Sequence, residues 1–132
     1  MSLLFDSSAI INLSQERRTE SYIDHATTPL AQYEIGNAVW KMVNLIQAMT
    51  EDAGKQYLTQ ILETLRFMTA IGTDDAETVL EIASRERISY YDASYIQAAI
   101  ASSFTLVTDD AKLRRVAAKY VTVTDSQHIQ PR

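Results

Sequence analysis

Leu3-Leu4-Phe5-Asp6-Ser7-Ser8-Ala9-Ile10-Ile11 decides how the rest of the chain is read. An apolar run ends in an aspartate and two hydroxyls, and a second apolar segment starts at once, as in a buried strand whose last residue emerges into a turn before a helix. The stretch places a carboxylate at the carboxyl end of a central strand. In open α/β sheets that edge is where ligands bind, at the point where successive connections leave to opposite sides. A local reading competes: Asp6 or Ser7 caps a short helix from Ser8 to about Leu13 by accepting bonds from its free first-turn N–H groups. The fold decides between them, according to whether later acidic residues return to Asp6.

The 132 residues fit one domain spanning 1–132, large enough to bury a core without metal or disulfide staples. With 46% apolar and 22% charged residues, three glycines and two prolines, the composition is that of a folded, helix-rich chain. Lack of cysteine removes disulfide frameworks and thiolate metal sites and is compatible with a cytoplasmic protein. Asp6 interrupts the only early apolar segment, and no run reaches the ~20 residues of a membrane span, so a soluble protein away from membranes is expected. The net charge of −5 argues against a general nucleic-acid coat. It leaves room for a nuclease, because cations held by clustered acids invert the local field.

Past a polar loop at Gln15–Glu20, Ala26-Thr27-Thr28-Pro29 reads as a very short strand or turn, with Pro29 set to start a helix. A long helix from Leu30 to about Met49 carries the stripe Ile35, Val39, Met42, Val43, Ile46 and Met49. Glu34 lies off that stripe with Asn37 one turn later; a solvated helix start, favoured by the dipole, is the plain alternative. Thr50 caps a second helix whose Gly54, Tyr57, Leu58, Ile61, Leu62, Leu65 and Met68 recur at steps of three and four, giving a helical hairpin.

A strand is expected within Phe67–Ile71, followed by a helix to about Arg87, where Asp74 and Glu77 have capping-box spacing. The tetrapeptide Thr-Asp-Asp-Ala at Thr73 recurs at Thr108, before another helix running through Lys119. Between the copies, Ser89 and Asp92 again have capping-box spacing at the head of an Ala-rich helix in which Ile96, Ala99 and Ile100 pack. Phe104–Val107 reads as a buried strand, Val121–Val123 as a last short one, and the tail from Asp125 to Arg132 as loosely held.

The order β-α-(β)-α-α-β-α-α-β-α-β predicts an α/β sandwich around a parallel sheet. Right-handed connections put every strand's carboxyl end on one edge. Asp6 and Thr108-Asp109-Asp110 then share that edge, with Glu34 and Asp92 early in helices that start there. Such carboxylates repel one another unless a cation sits among them, and hard oxygen ligands select Mg²⁺ or Mn²⁺. The chemistry expected is metal-assisted phosphodiester hydrolysis with a metal-activated water as attacker.

These residues carry a family resemblance. Asp6-Ser7-Ser8-Ala9-Ile10-Ile11, Tyr33-Glu34-Ile35-Gly36-Asn37-Ala38, Tyr91-Asp92-Ala93-Ser94-Tyr95 and Leu106-Val107-Thr108-Asp109-Asp110 resemble, in order and approximate spacing, the motifs of PIN domains, specifically of VapC-type ribonuclease toxins from toxin–antitoxin pairs. The resemblance covers nearly the whole chain and implies a three-layer α/β/α domain with a central, mainly parallel sheet and a protruding hairpin. It implies a catalytic, metal-holding quartet of Asp6, Glu34, Asp92 and Asp110. Asn37 and Thr108 support it by hydrogen bonds, with Ser7 beside them and Asp109 as a cap or outer acid. It also implies an endoribonuclease that forms homodimers and is silenced by a small VapB-like antitoxin packed along the hairpin at 30–68; an acidic toxin suits a basic inhibitor. RNA contacts would fall to Arg17, Arg18, Lys112, Arg114 and Arg115, whose alternative is a solvated loop and helix face.

Two other readings stand beside the toxin. One is an RNA-processing nuclease of the same fold without an inhibitor; the other is a non-catalytic binding module in which the acids are caps. Nucleotide-binding Gly-rich loops are absent from the sequence, and an aspartyl-phosphate phosphatase would want an acid where Ser8 stands.

Overall fold

Leu4 and Phe5 are both fully buried, yet they belong to different cores on opposite faces of one sheet. Successive strand side chains point to opposite faces, so two adjacent apolar residues require cover on both sides. In the computed structural model, which describes residues 2–130, that cover comes from helices. The elements run β1 (Leu3–Phe5), α1 (Ser7–Gln15), β2 (Ala26–Thr27), α2 (Ala31–Asn44), α3 (Glu51–Leu65), β3 (Thr69–Ala70), α4 (Ala76–Glu86), α5 (Tyr90–Ser102), β4 (Thr105–Val107), α6 (Ala111–Ala117) and β5 (Val123–Thr124). Short 3-10 turns occupy Thr19–Ser21 and Ser126–His128.

All strand pairs are parallel, in the order β3-β2-β1-β4-β5, with β1 central. Leu4 lies opposite Leu106 and Phe5 opposite Val107. Leu4 and Leu106 pack with Val79, Ile82, Ile96, Leu113 and Val116 from α4, α5 and α6. Phe5 and Val107 pack with Ile10, Leu13, Ile35 and Ile61 from α1, α2 and α3. The result is the expected three-layer α/β/α sandwich. From β1 the chain winds outward through β2 to β3, then crosses to β4 on the other side, so the switch point lies between β1 and β4.

Helices α2 and α3 form the hairpin. The side chains of α2 that are buried are Ala31, Ile35 and Val39, and none of its last five residues is buried. Those of α3 are Gly54 and Ile61. The tip therefore extends past the sheet. A Cβ on Gly54 would stand 2.6 Å from Val43 Cγ2, so the missing side chain is what lets the two helices approach.

Several boundaries differ from expectation. Helix α1 continues to Gln15, and α2 stops at Asn44 rather than Met49. Past that point Gln47 is left-handed (φ 57°), and Ile46, expected on the core stripe, is exposed. Helix α3 stops at Leu65, with β3 shortened to Thr69–Ala70. The cap of α4 is Asp75, whose carboxylate accepts from Thr78 N–H, and not Asp74. Ile100 turns partly outward from α5. Strand β5 pairs two residues later than expected, at Val123–Thr124.

The tail is held, not loose. Asp125 caps the turn at Ser126–His128, Ile129 is buried in the Phe5 core, and Arg18 donates to the Ile129 carbonyl at 2.7 Å. The last two tail residues lie outside the described residues.

Candidate active site

Asp6 ends β1 and caps α1, so both readings of this residue hold at once. Its Oδ1 accepts from Ala9 N–H at 3.0 Å and from the Ser8 hydroxyl at 2.7 Å. Its Oδ2 accepts from the Thr108 hydroxyl at 2.5 Å, across the switch point from the end of β4. Burial of the carboxylate raises its pKa to about 6, against those hydrogen bonds and with the nearby Glu34 charge adding to the rise.

Glu34 reaches the site from the first turn of α2. Its Oε1 accepts from Ser7 Oγ at 3.1 Å and from the Tyr95 hydroxyl at 2.8 Å. Burial first, and then the Glu34 charge, push the Tyr95 phenol far above its ordinary range, which keeps it protonated as a donor. Asp92 sits in the first turn of α5, whose N-terminal Ser89 accepts from Asp92 N–H at 3.0 Å as the capping spacing predicts. The Asp92 carboxylate remains half-buried. Desolvation raises its pKa, the charges of Asp110 and Glu34 raise it further, and Lys112 opposes them. These mutual effects tie the quartet together on one edge.

The repeated aspartates after β4 have divided roles. Asp110 is exposed and caps α6, its Oδ1 accepting from Lys112 N–H and Leu113 N–H at 2.9 and 3.1 Å. Its own N–H donates to the Thr108 hydroxyl, so buried Thr108 joins Asp6 to Asp110. Asp109 turns the other way, accepting from Asn12 Nδ2 at 2.6 Å and from Ser126 N–H and Oγ at 2.7 and 2.6 Å. It fastens the tail turn to α1.

The expected basic contacts separate similarly. Lys112 is the one whose charge reaches Asp92. Arg114 donates to the Thr108 carbonyl at 2.9 Å, bracing the β4–α6 turn, while Arg115 is exposed on α6. Arg17 and Arg18 follow the carboxyl end of α1, roughly 14 Å of helix away from Asp6. Arg18 is also engaged by Glu16 and the Ile129 carbonyl.

Three contributors went unnoticed in the sequence reading. Ser8 bridges, donating to Asp6 and accepting from Asp109 N–H at 2.9 Å. Tyr95 stands three residues after Asp92, within a motif already singled out. Lys41 borders a cleft of about 670 Å³ with Glu34, Asn37, Tyr33 and Tyr91. The steps from Glu34 to Asn37 to Lys41 are those of one helix face, which was the available signal.

Asp6, Glu34, Asp92 and Asp110 are the residues that could hold a cation. Their donors are all oxygens, which suits Mg²⁺ or Mn²⁺. Burial first, and then the neighbouring carboxylate charges, raise the pKa values of Asp6 and Asp92, and a cation among them would oppose both effects. Among the described residues, no group of three or more acidic or histidine side chains is gathered tightly enough to enclose an ion by itself. Mg²⁺ commonly binds through one or two carboxylates and retains several waters, so the donor set fits an ion of that kind.

Known proteins align with this arrangement. A family model described as PIN domain matches residues 3–119. Exonuclease VapC9 of Pyrobaculum aerophilum is 32% identical over 114 residues, covering 83% of this chain and 81% of its own. The crystal structure of PAE2754 from Pyrobaculum aerophilum superposes with a TM-score of 0.77 at 28% identity, covering 96% of this chain and 92% of that one. The structure of FitAB bound to the IR36 DNA fragment superposes with a TM-score of 0.64 over 97% of both chains at 16% identity, a likeness of fold.

Proposed function

The chain belongs to the PIN-domain family, whose model matches residues 3–119, and on that premise we propose that it is a divalent-metal-dependent endoribonuclease, the toxin of a toxin–antitoxin pair. The observation that carries this reading is the tie between Asp6 and Thr108 at the switch point, with Glu34, Asp92 and Asp110 electrostatically coupled around it. A bound Mg²⁺ or Mn²⁺ supplies Lewis acidity, lowering the pKa of water and neutralising charge on the phosphate.

The chain's own part is positioning. Asp6 is fixed on both oxygens by three donors and cannot swing away. Ser7 and Tyr95 hold Glu34 toward the same space. Asp92 is half-buried and Asp110 exposed, the two carboxylates repel each other, and Lys112 offsets part of the charge at Asp92. Fixed carboxylates of this kind lower the reorganisation needed when charge develops in the reaction. Water is the attacking group, with the carboxylates orienting it.

The partner side of the reading rests on the hairpin and on net charge. Leu45 and Ile46 at its tip are exposed apolar side chains, and a chain of net charge −5 suits a basic inhibitor. A homodimer would cover exposed Leu80 and Ile100 of α4 and α5. The relative's name, exonuclease, supports a second mode of cleavage by the same site.

Incubation with closed circular and linear RNA in Mn²⁺ separates these outcomes. The endonuclease reading predicts linearised circles, the exonuclease reading degradation of linear RNA alone. Loss of either activity in folded Asp6→Asn and Asp92→Asn variants is expected; undiminished metal-dependent cleavage in both would overturn the assignment.

A further inference from the structure

We propose that Tyr33, Trp40 and Tyr91 form a stacking platform for nucleobases flanking the phosphodiester at the carboxylates, which makes these three rings the side chains that seat the substrate on the α2 and α5 side of the site. This rests on the nuclease reading and deepens it. Tyr33 directly precedes Glu34, and Tyr91 directly precedes Asp92, each in the first turn of its helix. They are 71% and 60% exposed, more than Tyr90 at 43%, whereas Tyr22 and Tyr95 are buried at 0% and 1%.

Trp40, 51% exposed, stands seven residues after Tyr33. That is two turns along the same face of α2, about 10 Å. Tyr91 also stands between two cavities. On one side is the polar cleft with Glu34, Asn37 and Lys41. On the other is an apolar recess of about 360 Å³ lined by Pro29, Leu30 and Tyr90, and both Leu30 and Tyr91 border both spaces. A nucleobase has apolar faces and polar edges, and single strands are bound by stacking bases on aromatic rings while cations follow the backbone. Lys41 supplies such a cation and makes no ion pair among the described residues. The mixture of carboxylate, amide and ammonium between exposed rings fits a nucleotide chain better than an apolar peptide, which would leave those groups buried without partners.

Trp40 is the single tryptophan of the chain, so its emission reports the platform directly. The Asp6→Asn protein, checked for folding by circular dichroism, is titrated in Mg²⁺ with a labelled single-stranded oligoribonucleotide and with its duplex. Anisotropy and Trp40 emission are read together. Quenching by the single strand and weaker binding of the duplex are expected. In that background Tyr33→Ala and Tyr91→Ala should each weaken binding by roughly 5- to 100-fold, the range for one stacked base, while Tyr91→Phe stays within about twofold. Affinities that ignore both alanine substitutions overturn the platform. Ring-dependent binding with no cleavage by the wild type overturns the nuclease reading instead and leaves the platform standing.

Discussion

The Thr108 hydroxyl donates to Asp6 Oδ2 at 2.5 Å although 102 positions separate the two residues. The bond joins the carboxyl ends of adjacent parallel strands at the switch point of the sheet. Thr108 is wholly buried and also accepts from Asp110 N–H at 3.1 Å. One hydroxyl therefore fixes the first acid of the quartet and the backbone of the last.

The same arrangement makes stability depend on pH in a stated direction. Asp6 has an ordinary value of 3.8 and a folded value of about 6, chiefly because it is buried. A raised folded pKa stabilises the fold below the unfolded pKa, and that contribution is lost as pH rises through the folded one. The shift corresponds to about 3 kcal/mol. Asp75, Glu86 and Asp125 have lowered values and act in the opposite sense, so the comparison must be with Asp6→Asn. In urea unfolding with chelator present, Asp6→Asn should match the wild type near pH 4 and exceed it by roughly 1–3 kcal/mol at pH 7.5. A difference that does not change with pH would show that Asp6 is not the group responsible.

Most of the architecture was legible because it rests on local patterns. The apolar run through Leu4 and Phe5 marked a buried strand, the alternation of strands and helices marked a sheet covered on both faces, and the cap positions at Thr50 and Ser89 were marked by hydroxyls followed by helical spacing. The convergence of Asp6, Glu34, Asp92 and Asp110 on one edge followed from topology plus four short motifs. What escaped was decided by tertiary contacts. Periodicity carried α2 on to Met49, but the projecting tip has no sheet to cover Ile46, and the chain turns at Gln47. The two aspartates after Thr108 have equal local claims to cap α6; only the arrival of Asn12 and Ser126 beside Asp109 separates them. The tail seemed loose because its anchors, Arg18 and Asp109, are far away in sequence.

That division between the neighbouring aspartates predicts opposite phenotypes. Asp109→Ala removes the acceptor for the N–H of Ser126, which is 2% exposed. An unsatisfied buried donor costs about 1–3 kcal/mol, so unfolding should shift by that amount while the quartet remains. Asp110→Asn keeps a side chain that caps well and should leave stability within about 0.5 kcal/mol while abolishing cleavage. Chemical denaturation and RNA cleavage measured on both variants check this. A stable, inactive Asp109→Ala with an active Asp110→Asn would reverse the assignment.

Tyr95→Phe isolates a single hydrogen bond. The ring is 1% exposed and its hydroxyl donates to Glu34 at 2.8 Å. Phenylalanine keeps the packing, so the stability loss should be about 1 kcal/mol. Glu34 then depends on the longer bond from Ser7. Loss of a group that orients a metal ligand costs about 10- to 100-fold in metal affinity, and calorimetric Mn²⁺ titration of Tyr95→Phe should show that decrease. Unchanged Mn²⁺ affinity in the folded variant would separate Glu34 from metal binding.

Gly54 tests the hairpin on which Glu34 and Lys41 are carried. In an exposed helix, replacing glycine by alanine gains about 1 kcal/mol. Here the new Cβ would meet Val43 Cγ2 at 2.6 Å, a branch close to the α2 backbone that has little freedom to yield. Overpacking costs about 1–3 kcal/mol, so Gly54→Ala should be neutral to destabilising by about 2 kcal/mol despite its better helix propensity. Val43→Ala removes the clashing methyl. In the pair Gly54→Ala/Val43→Ala the propensity gain should reappear, giving a favourable coupling energy of about 1–2 kcal/mol in a double-mutant cycle. Additive effects of the two substitutions would mean that α2 and α3 can separate without strain. The close approach at Gly54 would then not be what fixes the outer half of α2, where Lys41 lies.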